Sequence, residues 1–269
     1  MTSSKQRGHS GSQRLGEGKI LPLIIRLSVP AVIAQLITFL YNIVDRMYVA
    51  RIEQSGMDAL AALGIVLPIT LIMQAFANLV GLGGAPRAGI KMGEGNSDFA
   101  NGVFNTSFSL LLLIGTVLGG VTFAFARPIV ELFGCPQSAA DFAVSYLRIY
   151  SCGSLFTMLS QGLNPFILTQ GYSLTAMGSV LLGAVINIVL DPIFIIVLDM
   201  GVTGSRLATV SSPGCSCIFV VSFFLSEKSV FRCERYSIII FRRPFSISKK
   251  SSKTNAANSR YAVQDGRTV

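Results

Sequence analysis

The apolar positions of this chain gather into six long blocks, at about 22–50, 59–84, 99–126, 141–168, 175–198 and 203–225. Each exceeds the roughly 20 residues that a helix needs to cross the hydrocarbon core of a bilayer. Blocks apolar on every side are what a spanning helix requires, and the bilayer demands helices because they satisfy their own backbone. The pattern therefore predicts an all-α polytopic membrane protein with six transmembrane helices. The short connection "QGYSLT" (170–175) between the fourth and fifth blocks predicts antiparallel neighbours in a compact bundle.

Composition agrees with that reading. Of 269 residues, 51% are hydrophobic and 13% charged, with mean hydropathy +0.60. A soluble domain carries about 25% charged residues. The formal charge of +9 is concentrated at the ends. Residues 1–26 hold five Lys/Arg against one Glu, residues 232–269 hold nine against two acids, and the body between holds eight against ten. Basic ends around a nearly neutral apolar body fit cytoplasmic segments. Nucleic-acid binding would need the charge gathered on a folded face with interleaved aromatics, and neither end shows this.

Lys/Arg also orient the chain. With the N-terminus inside, the inner segments carry seventeen, while the outer loops and adjoining helix ends carry four: Arg51, Arg127, Arg148 and Arg206. The positive-inside rule then predicts both termini of this multi-pass protein in the cytoplasm. No signal-peptide pattern is expected, because the block after the basic N-terminus is too long for an h-region and lacks a small-residue cleavage site.

Several features suggest chemistry without supporting it. The segment "GLGGAPRAGIKMGEGN" (81–96) has many glycines but lacks the G-x-x-x-x-G-K-[ST] order and a preceding strand, so it reads as a helix end and a cytoplasmic turn. Cys135, Cys152, Cys215, Cys217 and Cys233 have no metal-site spacing, and the single histidine, His9, lies in the polar N-terminal segment. Neither a metal centre nor a disulfide is expected.

Ionisable residues inside the blocks are few: Asp45 and Arg46 in the first and Asp191 in the fifth. Such residues are costly in a bilayer and mark ion pathways or proton relays. Asn187 and Asp191 lie four apart and project from one helix face. The orientation puts Asp45, Asp191 and Thr209 in the outer leaflet, where they can share a cavity. Structural roles compete at each position. Asp45 can be an interfacial carboxylate, Asn187 interhelical glue, and Pro30 an ordinary kink. Asp191 can satisfy a backbone group freed by Pro192.

Five blocks then carry a resemblance: "LSVPAVIAQLITFLYNIVDRMYVARI", "GMDALAALGIVLPI", "YLRIYSCGSLFTMLSQGLNPFILTQG", "LLGAVINIVLDPIFI" and "GVTGSRLATV". In order and spacing they resemble the multidrug and toxic compound extrusion (MATE) family. The resemblance implies one six-helix lobe of a twelve-helix transporter in a bacterial or archaeal plasma membrane. Such a transporter exports amphipathic, often cationic drugs against inward movement of Na⁺ or H⁺. It further implies that Asp45, Asn187, Asp191 and Thr209 line the coupling-ion site, that Asn164 faces the substrate cavity, and that helix one bends at Pro30. Oxygen ligands alone suit a hard cation, and two close carboxylates in a low-dielectric site can also hold a proton between them. No cofactor beyond the coupling ion is expected.

Three domains follow: a cytoplasmic segment 1–20, the lobe 21–230, and a basic tail 231–269 that matches nothing in the family and reads as disordered. The tail and the absent second lobe point to a truncated or frameshifted frame, with self-association as one substitute for that lobe. Pro213 in "SSPGCS" departs from the family inside helix six and bears on Thr209. Alternatives are a non-transporting membrane fragment and a flippase of lipid-linked precursors, which would favour a cationic groove. An intramembrane prenyl-transferring enzyme would need D-x-x-x-D loops, which are absent.

Overall fold

The computed structural model describes residues 20–50, 56–198, 200–226 and 229–231. The segment 1–19 and the basic tail from 232 onward lie outside the described residues. Among the described residues seven α-helices follow one another: α1 (Ile20–Ala50), α2 (Gly56–Gly93), α3 (Ser97–Ala124), α4 (Ala126–Leu132), α5 (Gln137–Thr169), α6 (Ser173–Pro192) and α7 (Gly201–Leu225). Between α6 and α7 the chain widens over Ile193–Val197 into i→i+5 turns, with the Leu198 N–H donating to the Ile193 carbonyl at 2.9 Å. Among the described residues, α1, α2, α3, α6 and α7 are long and apolar enough to cross a membrane.

The sixth long helix, α5, is less apolar than the others and more deeply packed. It packs against α2, α3 and α7 and has the longest run of buried residues in the molecule. Several of its hydroxyls bond back to their own helix: Ser151 Oγ donates to the Leu147 carbonyl at 2.6 Å, and Ser154 Oγ to the Ser151 carbonyl at 2.8 Å. Hydroxyls satisfied in this way need no water, so a serine-rich helix can occupy the centre of the bundle. Small residues let α2 lie close against it. A Cβ on Gly81 would fall 2.5 Å from the Gly162 carbonyl oxygen. By contrast, α1 rests mainly on α6 and exposes most of its apolar surface.

Two boundaries differ from those the hydropathy predicts. Residues 81–93, read as a helix end and turn, continue α2, and the reversal is confined to Glu94–Asn96 with Gly95 at φ 78°. Close packing keeps this stretch in the helix: Gly81 lies against Gly162, Gly84 against Ser107 and Phe166, and Gly89 against Thr169. The third block ends at Phe125, and the short α4 follows it before α5 begins. The predicted reversal at 170–172 is present, with Gly171 at φ 86°.

A lobe held at both ends emerges. At one end Phe104, Phe166, Phe224 and Phe231 pack ring on ring. The opposite end is closed by Val130 of α4 and by Ala139, Ala143, Tyr146 and Leu147 of α5 against Ala62, Val66 and Ile69 of α2.

Candidate functional site

α1, α6, α7 and α5 meet near the last turns of α1 and α6. Asp45, near the end of α1, is half-buried, and its Oδ1 accepts a hydrogen bond from Ser205 Oγ of α7 at 3.1 Å. Asp191 of α6 is 0% exposed, and neither of its carboxyl oxygens has a hydrogen-bond partner. One turn earlier, Asn187 is 2% exposed and its Oδ1 is likewise unpartnered. The Asp45 and Asp191 carboxyl groups are close enough to act directly on one another. Ionised, both are acceptors only and neither can bond the other; a single proton or a cation between them removes that conflict.

Hydroxyl groups complete the surroundings. Thr209 Oγ1 donates to the Ser205 carbonyl at 2.9 Å, which leaves its oxygen lone pairs to accept. The Tyr146 side chain of α5 meets Thr209, and its hydroxyl also senses Asp45. Tyr41, one turn before Asp45, lies within electrostatic reach of both carboxylates. α7 continues through Pro213. A proline has no N–H, so Pro213 cannot bond the Thr209 carbonyl four residues earlier, and Thr209 keeps its place beside Tyr146 despite that change.

Asp191 does not serve its neighbouring proline. The group that Pro192 leaves without its usual donor is the Ile188 carbonyl, an acceptor, and a carboxylate has no proton to offer it.

Asn164 is not brought to this cluster. Its amide donates to the Ala176 carbonyl at 3.2 Å and to Ser179 Oγ at 2.8 Å, fastening α5 to the first half of α6. Ser179 precedes Asp191 by twelve positions on one helix, about 18 Å at 1.5 Å per residue. Pro30 is buried within an α1 that is helical on both sides of it.

Arg206, counted above among the residues at helix ends, lies in the first turns of α7. It is 4% exposed inside the bundle, with Nη1 donating to Ser145 Oγ at 2.6 Å and the guanidinium 5.8 Å from the Phe142 ring. Ser205, Tyr41 and Tyr146 are neighbours of the carboxylates that the sequence reading passed over. Ser205 was within reach of it, since it lies one helical turn before Thr209 and shares its face. Tyr146 carries no comparable signal, because only the packing of α5 against α7 brings it there.

The family model that matches is MatE, over residues 30–193, which runs from Pro30 past Asp191. Among curated relatives, the multidrug export protein MepA of Staphylococcus haemolyticus (strain JCSC1435) is 27% identical over 210 residues, covering 77% of this chain and 46% of its own. MepA of Staphylococcus aureus (strain NCTC 8325 / PS 47) is 25% identical over 213 residues, covering 78% and 46%. Among solved structures, a MATE protein in complex with MaD3S superposes with TM-score 0.78 at 26% identity, covering 91% of this chain and 53% of that one. A transporter of the MOP superfamily from Pyrococcus furiosus, described as having a binding pocket of reversed polarity, superposes with TM-score 0.76 at 26% identity, covering 92% and 53%. The chain thus spans about half the length of the relatives it matches.

Proposed function

This chain belongs to the MatE family, and from that premise we propose that it forms the ion-binding lobe of a multidrug efflux transporter. Inward movement of Na⁺ or H⁺ through the Asp45–Asp191 site drives export of amphipathic, cationic drugs. Asp45, Asn187, Asp191 and Thr209 hold the ion. Pro30 is the point at which α1 bends, and Asn164 serves the cavity from the other half of the lobe. Both termini are cytoplasmic, in the plasma membrane of a bacterium or archaeon. Because the chain spans about half the length of its relatives, export itself is assigned to a complete two-lobed assembly, in which this lobe faces a second lobe or a second copy.

One observation carries the reading. Asp191 is wholly buried with both oxygens unpartnered, beside a second carboxylate from another helix. A buried carboxylate costs several kcal/mol unless paired or neutralised, so the arrangement is stable only when a cation or proton occupies it. The oxygen-only donor set fits either ion.

The test is ion binding by the purified chain in lipid vesicles. Wild type is expected to take up Na⁺ or protons with a stoichiometry near one, and Asp191→Asn to abolish the uptake. Equal uptake by wild type and Asp191→Asn would sink the assignment.

A further inference from the structure

We propose that Ser205 is a positioning residue that makes the two carboxylates unequal, holding Asp45 as a fixed ligand and leaving Asp191 to take up and release the ion. The inference rests on the coupling-site reading above and adds a division of labour within it.

Most hydroxyls in this bundle bond back to their own helix. Thr38 donates to the Ala34 carbonyl, Thr116 to Leu112, Ser151 to Leu147, Thr209 to Ser205 and Ser211 to Leu207. That local bond is the default for Ser and Thr in a membrane helix. Ser205 is 1% exposed, yet its hydroxyl leaves α7 and reaches Asp45 on α1 at 3.1 Å. α1 packs chiefly on α6 and touches α7 little, so this bond is a polar tie between the two helices where apolar packing is thin.

The orientation of Ser205 is held from both sides. Its carbonyl accepts from Thr209 Oγ1 at 2.9 Å. The adjacent Arg206 is anchored on α5 through Ser145 and lies over the Phe142 ring, which limits rotation of the first turns of α7. Asp45 therefore meets a donor whose position is set by two other helices.

The consequence is chemical. A carboxylate that accepts a charge-assisted hydrogen bond has one lone pair engaged and its rotamer restrained. A buried carboxylate with no donor keeps its full desolvation cost and gains most from an incoming cation or proton. Asp191 is that group. Asp45 then contributes a fixed oxygen to an ion whose arrival and departure are felt mainly at Asp191.

Infrared pH titration of the full chain in lipid vesicles, read at the carboxylic-acid C=O stretch, tests this with the proton itself as probe. In the wild-type background, Asp191→Asn is expected to remove the acid band and Asp45→Asn to leave it. In a Ser205→Ala background the band is shared, so that each aspartate variant removes only part of it. Ser205→Thr, which keeps the hydroxyl, restores sole dependence on Asp191. Ser205→Cys, close in volume and a weak donor, gives the shared pattern and serves if the alanine variant does not fold. Sole dependence on Asp191 in the Ala or Cys background overturns the role of Ser205 while leaving the coupling site standing. An acid band indifferent to both aspartates in the wild-type background overturns the coupling site as well.

Discussion

Asp191 and Asn164 are polar residues in apolar helices, and their surroundings assign them opposite duties. Asn164 spends its amide on two acceptors of α6. Asn164→Ala is expected to lower stability by about 1 kcal/mol, the usual scale for a buried hydrogen bond. Thermal unfolding in detergent measures that loss, and ion binding to the same variant should match wild type. A lost ion site in Asn164→Ala would instead make it part of the coupling machinery. Asp191 spends nothing, and its replacement by Asn is expected to leave the fold intact or firmer, because an unpaired buried charge has been removed. Thermal unfolding above pH 7 in the absence of added ion checks the sign: Asp191→Asn should melt no lower than wild type. The spacing of Asn187 and Asp191 made their shared face legible beforehand. Their lack of partners was not, since hydrogen bonds between helices depend on packing.

Helices here are joined through small residues and aromatic rings. The Gly81–Gly162 approach leaves no space for a side chain, because the obstacle is backbone. Gly81→Leu is expected to cost about 3 kcal/mol or more through forced separation of α2 and α5, read as early loss of the monodisperse peak on heating in detergent. Ion binding should fall in proportion to the unfolded fraction alone. At the same end of the bundle, Phe231 is 1% exposed and stacks on Phe104 at 5.5 Å with an interplanar angle of 9°. The chain leading to it is tied down by Gln170 Oε1, which accepts from the Val230 N–H at 2.7 Å and from Ser229 Oγ at 3.1 Å. Phe231→Ala is expected to cost about 3–5 kcal/mol, measured by the same melting experiment. Hydropathy located the helices to within a few residues, yet it ended α2 early. Glycine and proline read locally as turn residues, while the close contacts of 81–93 are with residues of α3 and α5 such as Ser107, Gly162 and Thr169.

For the molecule as a whole, the decisive quantity is its orientation across the membrane. Cys135 lies between α4 and α5, half-buried, at the end closed by α4. With both termini inside, that end faces out. A variant retaining only Cys135 is expected to react with a membrane-impermeant maleimide added to intact cells. Burial pushes this thiol above its ordinary range. The thiolate is the reactive form, so labelling should be slow at neutral pH and rise as the pH is raised. Labelling only after the membrane is opened would reverse the topology.

The sequence by itself determined that this chain lies in a bilayer, how many long helices it forms and which residues are out of place within them. Hydropathy and charge are summed locally, and a bilayer reads them with little regard for partners. Family membership was legible for the same reason, through five blocks in order. The shared leaflet and the resemblance had already grouped Asp45, Asn187, Asp191 and Thr209, and only the tertiary structure decided their contacts and what else meets them. It brought Asp45 to Asp191, added Ser205 and Tyr146, drew Arg206 into the interior and left Asn164 about 18 Å along α6 from the site. Those outcomes depend on the rotation and depth of packed helices, which close contacts such as Gly81 against Gly162 determine and which no single segment encodes.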